Sequence, residues 1–200
     1  MLPEGVRLIH IRHGQTDWNV EGRLQGQLDI PLNDTGRGQA ARNGRVLAER
    51  LAADGVDPAS LAYIASPLGR AMETMRLVRD ALGLDHSFPT DPRLMEITFG
   101  EWTGKTYAEL RASGYETQVR ARKKDKWSFR PPGAETYAEL AQRVAGWLET
   151  VERDTIAVAH GGIFRVLNGL LLGMPWHEVP SVEPPQDRIA IFSGGQLELV

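Results

Sequence analysis

Two histidines in this chain each follow a short apolar segment and precede a glycine. Val6–Ile11 leads into Arg12–Gly14, and Thr155–Ala159 leads into His160–Gly162. Short apolar runs bounded by glycine favour buried strands over helices. Open α/β sheets place ligand chemistry at the carboxyl ends of their strands. If these strands are parallel, His13 and His160 face one pocket.

Two arginines accompany the histidines. Arg12 directly precedes His13, and Arg70 follows a second candidate strand, Leu61–Ala65, at the start of a predicted helix. The planar guanidinium fork matches phosphate oxygens. The glycines allow close backbone approach, and a helix beginning near Gly162 offers free N–H groups. These residues predict a pocket for a phosphoryl group.

Such a pocket supports covalent catalysis. A neutral imidazole can attack phosphorus to form a phosphohistidine. Because the arginines and the second histidine neutralise the phosphoryl oxygens, we expect neither a metal nor another cofactor. One carboxylic acid can protonate the leaving alkoxide and later deprotonate water. Glu96 is the candidate, although Glu101 lies nearby and spacing alone cannot choose between them.

The order of strands and helices predicts an α/β fold, a three-layer α/β/α sandwich with a mostly parallel central sheet. Asn33–Thr35 offers caps before a helix with apolar positions to Leu51, and a helical face runs from Ala71 to Leu82. Thr106 and Thr136 each begin a capping box, with a glutamate three residues later. A helix over 163–172 and a hairpin around 193–195 complete the pattern.

We expect residues 1–200 to form a single domain with a lid-like excursion at about 91–135. That section is rich in proline, glycine and aromatic residues. Its basic stretch, Arg120–Arg130, is either a solvated surface or a lid that attracts an anionic substrate. The sequence leaves both interpretations open.

Composition limits the classes of function. The chain has 200 residues, 42% hydrophobic and 24% charged, with a formal net charge of -3. The absence of overall basic character argues against nucleic acid or membrane partners. No cysteine is present, which excludes disulfides, thiolate nucleophiles and cysteine-ligated metals. With no signal-peptide pattern or long apolar run, we expect a cytoplasmic protein of unassigned oligomeric state.

Five blocks of the sequence, in order, resemble the motifs of the histidine phosphatase superfamily, the phosphoglycerate mutase-like group. The resemblance implies His13 as the phosphoryl acceptor, Glu96 as acid and base, and a phosphate pocket of Arg12, Arg70 and His160. Asn19, Arg23, Gln25, Gly26 and Gly161 join the predicted binding residues. The blocks are Arg12-His13-Gly14 with Thr16 and Asn19; Gly22-Arg23 with Gln25-Gly26; Ser66–Ala71 with Thr74; Glu96 with Phe99-Gly100 and Trp102–Gly104; and Ala159–Gly162.

Departures from the family pattern favour its small phosphatase branch. Where the mutases have a substrate-binding lysine, this chain has Tyr107. The blocks 100–104 and 131–135 look like those of the phosphatases, but Thr103 and Ala134 replace the usual glutamate and glycine. We predict a metal-independent phosphatase acting on a small phosphomonoester. The alternatives are a cofactor-dependent phosphoglycerate mutase and a non-catalytic phospho-ligand-binding protein.

Three further residues are assigned from their surroundings. His10 is predicted to pack in the core, because it and His13 point to opposite faces of a strand. His86 and His177 are predicted at the surface. The alternative role for Arg70 is a surface ion pair with Glu73 on the same helix.

Overall fold

A computed structural model describes residues 2–200, and a five-stranded sheet lies at its centre. The strands are adjacent in the order β2-β3-β1-β4-β5. β1, β2 and β3 pair in parallel, whereas β4 is antiparallel to both of its neighbours. Four strands therefore run in one direction and β4 in the other. The strands are β1 Leu8–Arg12, β2 Ala62–Ala65, β3 Thr155–Ala159, β4 Ile189–Ser193 and β5 Gln196–Leu199.

Helices cover both faces of the sheet. One apolar cluster joins Ile9 and Ile11 to α2 and α3, and another joins Leu8 to α6 and α7. Because alternate side chains of β1 point to opposite faces, one strand contributes to both clusters. The predicted three-layer α/β/α architecture is confirmed. The helices are α1 Asp17–Val20, α2 Asp34–Ala53, α3 Gly69–Ala81, α4 Tyr107–Leu110, α5 Glu116–Lys124, α6 Tyr137–Leu148 and α7 Gly161–Leu172.

The predicted helix caps are present, but the two identical capping boxes begin helices of different length. Thr136 caps the twelve-residue α6, while the identical capping box at Thr106 opens only four residues of α4. A π-helical turn follows over Arg111–Tyr115, in which Gly114 adopts a φ of 89°. A capping box fixes where a helix starts, whereas its length depends on the residues that follow.

The segment 91–135 has a small apolar core of its own. Trp102 is fully buried and packs with Leu110 and Val119, so it is a packing anchor. Short 3-10 turns at Pro92–Leu94 and Gly100–Trp102 carry the chain between the longer elements. That this segment acts as a lid stays a prediction. No helix within residues 2–200 is long and apolar enough to cross a bilayer.

His10 packs in the core, as its strand position predicts. Its side chain is 1% exposed on β1, with its ring centroid 5.9 Å from that of Phe164. Within residues 2–200, no group forms a hydrogen bond with its Nε2. Burial, with a smaller contribution from the charge of Arg12, lowers the pKa of His10 to about 3. The native protein therefore holds a neutral histidine that the unfolded chain protonates.

Replacing this histidine should flatten the dependence of stability on pH. Below the ordinary pKa of 6.5 the unfolded chain binds a proton that native His10 does not, so stability falls as pH drops. In His10→Leu, the loss of unfolding free energy from about pH 7 to about pH 5 should be smaller by about 2 kcal/mol. Urea unfolding curves of both proteins at the two pH values measure this. An identical pH dependence would contradict the buried neutral state.

Candidate active site

The register of β1 on β3 places the two predicted histidines side by side. Arg12 pairs with Ala159 in the parallel ladder, and the His13 N–H donates to the Ala159 carbonyl at 2.9 Å. The imidazole centroids of His13 and His160 are 5.2 Å apart. Both side chains are almost fully buried. The structure thus brings together the two strand ends that the sequence singled out.

The His13 ring presents one nitrogen for attack. Its Nδ1 lies 2.7 Å from the Gly14 carbonyl oxygen, which can only accept, so Nδ1 carries the proton. Nε2 then keeps its lone pair. Burial, followed by the charges of Arg70 and Arg12, holds the pKa of His13 well below its ordinary 6.5. The neutral, nucleophilic imidazole is therefore the stable form.

His160 is oriented by the end of β2. Its Nε2 is 2.7 Å from the Ser66 hydroxyl, while its buried Nδ1 has no hydrogen-bond partner among residues 2–200. Burial and the charge of Arg70 lower the pKa of His160 well below 6.5. An unpaired buried nitrogen is costly. A phosphoryl oxygen is a partner that could satisfy it.

Backbone carbonyls hold the two predicted arginines. Arg70 is 1% exposed and donates from Nη1 to the Leu28 carbonyl at 2.5 Å and from Nη2 to the Gly26 carbonyl at 2.7 Å. Arg12 Nη1 donates to the Pro184 carbonyl at 2.7 Å. The Nε of each arginine is buried without a hydrogen-bond partner in the described part of the chain. Both guanidiniums thus keep donors free for an anion.

The alternative role for Arg70 is wrong. Glu73 pairs with Arg37 at 2.8 Å instead. Burial lowers the pKa of Arg70, and it lowers the pKa of Arg12 to about 10. Arg12 is therefore charged at neutral pH.

Glu96 reaches the site through the amino end of α7. Its Oε1 accepts from the Gly162 N–H at 3.0 Å and from the Ile97 N–H at 2.8 Å. A β-carbon at Gly162 would overlap this carboxylate, so a side chain there would displace it. Glu101, the competing carboxylate, instead accepts from the Tyr115 hydroxyl at 2.8 Å. The geometry favours Glu96.

An ion pair that sequence reasoning missed supports the Glu96 backbone. Arg143 binds Glu135 through Nε at 2.7 Å and Nη2 at 3.0 Å. The same guanidinium donates to the carbonyls of Arg93 at 2.6 Å and Glu96 at 3.2 Å. The Gln27 amide also donates to the Glu96 carbonyl, at 3.1 Å. Glu135 lies in a block resembling the family pattern, whereas Arg143 has no local sequence signal.

The other predicted binding residues divide between the pocket and its surroundings. Asn19 Oδ1 accepts from the Thr16 N–H at 3.1 Å, a bond that leaves its Nδ2 uninvolved. Gln25 is buried and donates to the Thr16 hydroxyl, and its Oε1 has no partner. Arg23 instead pairs with Glu21 and Glu109. Binding of phosphate by Arg23 stays a prediction.

Glycines from two other segments join the pocket. The Gly26 carbonyl anchors Arg70. Gly161 begins α7 between the side chains of Arg12 and Arg165. A side chain would not fit freely at Gly26 or Gly161, because a β-carbon at either position would contact neighbouring atoms.

A loop after α7 contributes contacts that no motif indicated. Gln186 donates from Nε2 to Asn19 Oδ1 at 3.1 Å, and Pro184 holds Arg12 as described. Arg165 donates from Nε to the Val182 carbonyl at 2.8 Å. These residues are distant in sequence from the segments they touch, so spacing gave no sign of them.

The basic stretch is divided between paired and unpaired residues. Arg120 and Arg130 pair with Glu116 and Glu139, whereas Arg122 is buried. A surface groove of about 880 Å³ lies beside this stretch, and neither His13 nor His160 lines it. It is lined by Lys123–Ser128, Pro175–His177 and Ser181. That the stretch acts as a lid for an anionic substrate stays a prediction. Within residues 2–200, no group of three or more His, Asp or Glu residues has metal-binding geometry.

Comparison with known proteins agrees with this geometry. Residues 8–195 match the histidine phosphatase superfamily (branch 1). A glucosyl-3-phosphoglycerate phosphatase from Mycolicibacterium vanbaalenii is 34% identical, over 84% of this chain and 75% of the relative. A probable phosphoglycerate mutase from Yersinia enterocolitica is 32% identical, over 86% and 77%.

A solved structure shares the fold. It is that of a mycobacterial glucosyl-3-phosphoglycerate phosphatase in complex with VO3, 32% identical, with a TM-score of 0.78 and coverage of 98% of this chain and 96% of the other. Sequence match, fold and relatives agree. The chain therefore belongs to the histidine phosphatase superfamily and is a phosphoric monoester hydrolase.

Proposed function

We propose that this phosphatase transfers the phosphoryl group of its substrate to His13 Nε2 and then to water, without a metal. The observation that carries the proposal is the fixed His13 tautomer: Nδ1–H is bonded to the Gly14 carbonyl, beside two arginines that form no ion pair with a carboxylate of residues 2–200. A buried neutral imidazole next to cations is suited to attack a bound phosphoryl dianion.

In the first step, His13 Nε2 forms a bond to phosphorus as the ester P–O bond breaks. Arg12, Arg70 and His160 stabilise the phosphoryl oxygens as charge shifts during transfer. Glu96 gives its proton to the departing alkoxide, so the product is a neutral alcohol. The Gly162 N–H bond holds the carboxyl group at the amino end of α7 throughout.

In the second step, water attacks the phosphohistidine. Glu96, now a carboxylate, accepts a proton from that water, and the bond between phosphorus and Nε2 breaks. Inorganic phosphate leaves, and His13 returns to its neutral form. The same carboxyl group thus serves as acid and then as base.

For the substrate we propose a glycosylated phosphoglycerate. Curated relatives named glucosyl-3-phosphoglycerate phosphatase, 33–34% identical to this chain, support it. The mutase alternative has support from relatives at 32% identity. The hydroxyl of Tyr107, at the position of the mutase lysine, accepts from Arg122 Nε at 3.0 Å within the 91–135 segment. This bond gives Tyr107 a packing role and favours hydrolysis over mutase chemistry.

His13→Ala should abolish turnover and phosphoenzyme labelling, because it removes the nitrogen that accepts the phosphoryl group in the proposed mechanism. Incubation with radiolabelled substrate followed by rapid alkaline quenching measures the phosphoenzyme. The surface variant His86→Ala is the control and should behave as wild type. Circular dichroism confirms that His13→Ala remains folded. Undiminished hydrolysis by His13→Ala would contradict the proposed mechanism.

Glu96→Gln should separate the two steps by their need for a proton. With p-nitrophenyl phosphate, whose leaving group departs without protonation, the variant should release one equivalent of nitrophenol quickly and then stall. With an alkyl phosphate it should show no burst, and turnover should fall by about 10²- to 10⁴-fold. Stopped-flow absorbance and phosphate release measure these rates. Equal effects on both substrates would rule out Glu96 as the acid.

Phosphate release should be faster from glucosyl-3-phosphoglycerate than from sugar phosphates, nucleotides and α-ribazole phosphate. Incubation with 3-phosphoglycerate and a bisphosphoglycerate primer tests the mutase alternative, which predicts 2-phosphoglycerate as product. Inactivity on the whole panel, with tight phosphate binding, would instead indicate a non-catalytic binding protein.

A further inference from the structure

Three guanidiniums converge on the pocket, one more than the proposed phosphoryl chemistry uses. A β-carbon built on Gly161 would lie 3.5 Å from Arg12 Nε and 3.6 Å from Arg165 Nη1. These two nitrogens are therefore separated by at most the sum of those distances. Arg12, Arg70 and Arg165 form no ion pair with a carboxylate in the part of the chain that the structure describes.

The positive charge at this point exceeds that of a phosphoryl dianion. A dianion balances two guanidiniums, and Glu96 balances none while it carries the proton for the leaving group. Glu183 lies in the field of Arg12 but is exposed to solvent, which screens its charge. The charge of Arg165 is then left without a counter-ion. Like charges held together in a partly buried site favour an additional anion.

In the proposed mechanism the alcohol leaves on the side of the pocket where Glu96 lies, and Arg165 is near that side. Its Nη1 is 3.4 Å from the hydroxyl of Tyr137, a residue that is 3% exposed. Glu96 also lies near that hydroxyl: burial is the main cause that raises the pKa of Tyr137, the charge of Arg165 opposes it, and Glu96 adds to it when it is a carboxylate. Tyr137, Arg165 and Glu96 thus surround one region. If Glu96 protonates the departing oxygen, the group bonded to that oxygen occupies this region.

The donors of Arg165 fit a planar anion. Nε is bound to the Val182 carbonyl, which fixes the plane of the guanidinium. Nη2 takes no part in that bond or in the one to Tyr137. A guanidinium with one edge anchored and another edge free is suited to a carboxylate.

We propose that Arg165, with the Tyr137 hydroxyl, binds a carboxylate on the leaving alcohol, so that the enzyme prefers phosphomonoesters of hydroxy acids. The inference rests on the proposed phosphatase function and deepens it. A phosphoglycerate has such a carboxylate two carbons from the ester-bearing carbon, whether or not its middle hydroxyl carries a sugar. Glycerol 3-phosphate has a hydroxymethyl group in the same place and is otherwise matched.

The test measures competitive inhibition of p-nitrophenyl phosphate hydrolysis by these two compounds. Wild type should bind 3-phosphoglycerate about 10- to 100-fold more tightly than glycerol 3-phosphate, the range expected for a hydrogen-bonded charge pair. Arg165→Met should bring that ratio close to one, mainly by weakening 3-phosphoglycerate. Arg165→Lys, which keeps the charge and loses the fork, should retain part of it. Arg76→Met removes one exposed charge from α3 and should leave the ratio unchanged.

The outcomes distinguish a failure of this inference from a failure of the proposed phosphatase function. If wild type does not hydrolyse p-nitrophenyl phosphate, the proposed function fails and this inference falls with it. If wild type is active but binds both inhibitors equally, the carboxylate site alone is overturned. The same holds if Arg165→Met keeps the wild-type ratio. Because the comparison of the two inhibitors needs only wild-type protein, poor folding of a variant cannot leave the proposal untested.

Discussion

The parallel pairing of β1 with β3 is the constraint on which the site depends. The ladder runs from Leu8 opposite Thr155 to Arg12 opposite Ala159, and the next residue on each strand is a histidine. A slip of one residue would exchange the faces of β1, placing Ile9 and Ile11 where His10 now lies. The apolar residues that fill the two core clusters therefore fix the register. The distance between the imidazoles follows from packing far from the pocket.

The buried guanidiniums beside the two histidines form hydrogen bonds with neutral acceptors, and their positive charge therefore stays available to bind an anion. Arg70 and Arg12 are held by carbonyls of the 26–28 loop and of Pro184, which satisfy donors without cancelling charge. Carboxylate partners would have lowered the cost of burial but would also have competed with phosphate. Burial and the charge of Arg70 lower the pKa of both His13 and His160, and the charge of Arg12 adds to the effect on His13. One arrangement thus provides both guanidinium donors for an anion and the unprotonated imidazole that the proposed mechanism requires.

The features that could be predicted from the sequence are those that depend on residues close together in the chain. The strand-end histidines, the Asn33 cap and both capping boxes depend on neighbouring residues, and the structure contains them. The hairpin around 193–195 predicts that β4 and β5 are antiparallel, but spacing could not show that β4 would also run antiparallel to β1, because that direction is decided by sheet pairing. Nor could it choose Glu96 over Glu101, since the choice depends on Gly162, which lies 66 residues away. Arg143, Gln186 and Arg165 were missed for the same reason.

Glu96 shows how the excursion and the catalytic pocket are coupled. Its carboxylate is fixed by α7, while its backbone is held from the opposite side by Arg143 and Glu135. The stretch after it is bonded to the end of the excursion, with the Glu101 N–H on the Pro132 carbonyl at 3.0 Å. Gly100 has a φ of 54°. A β-carbon there would overlap the Pro132 backbone, so the segments around Gly100 and Pro132 lie in close contact and cannot separate without breaking that contact. A movement of the 91–135 segment would therefore shift the acid as well as the walls around the leaving group, which ties substrate fit to proton transfer.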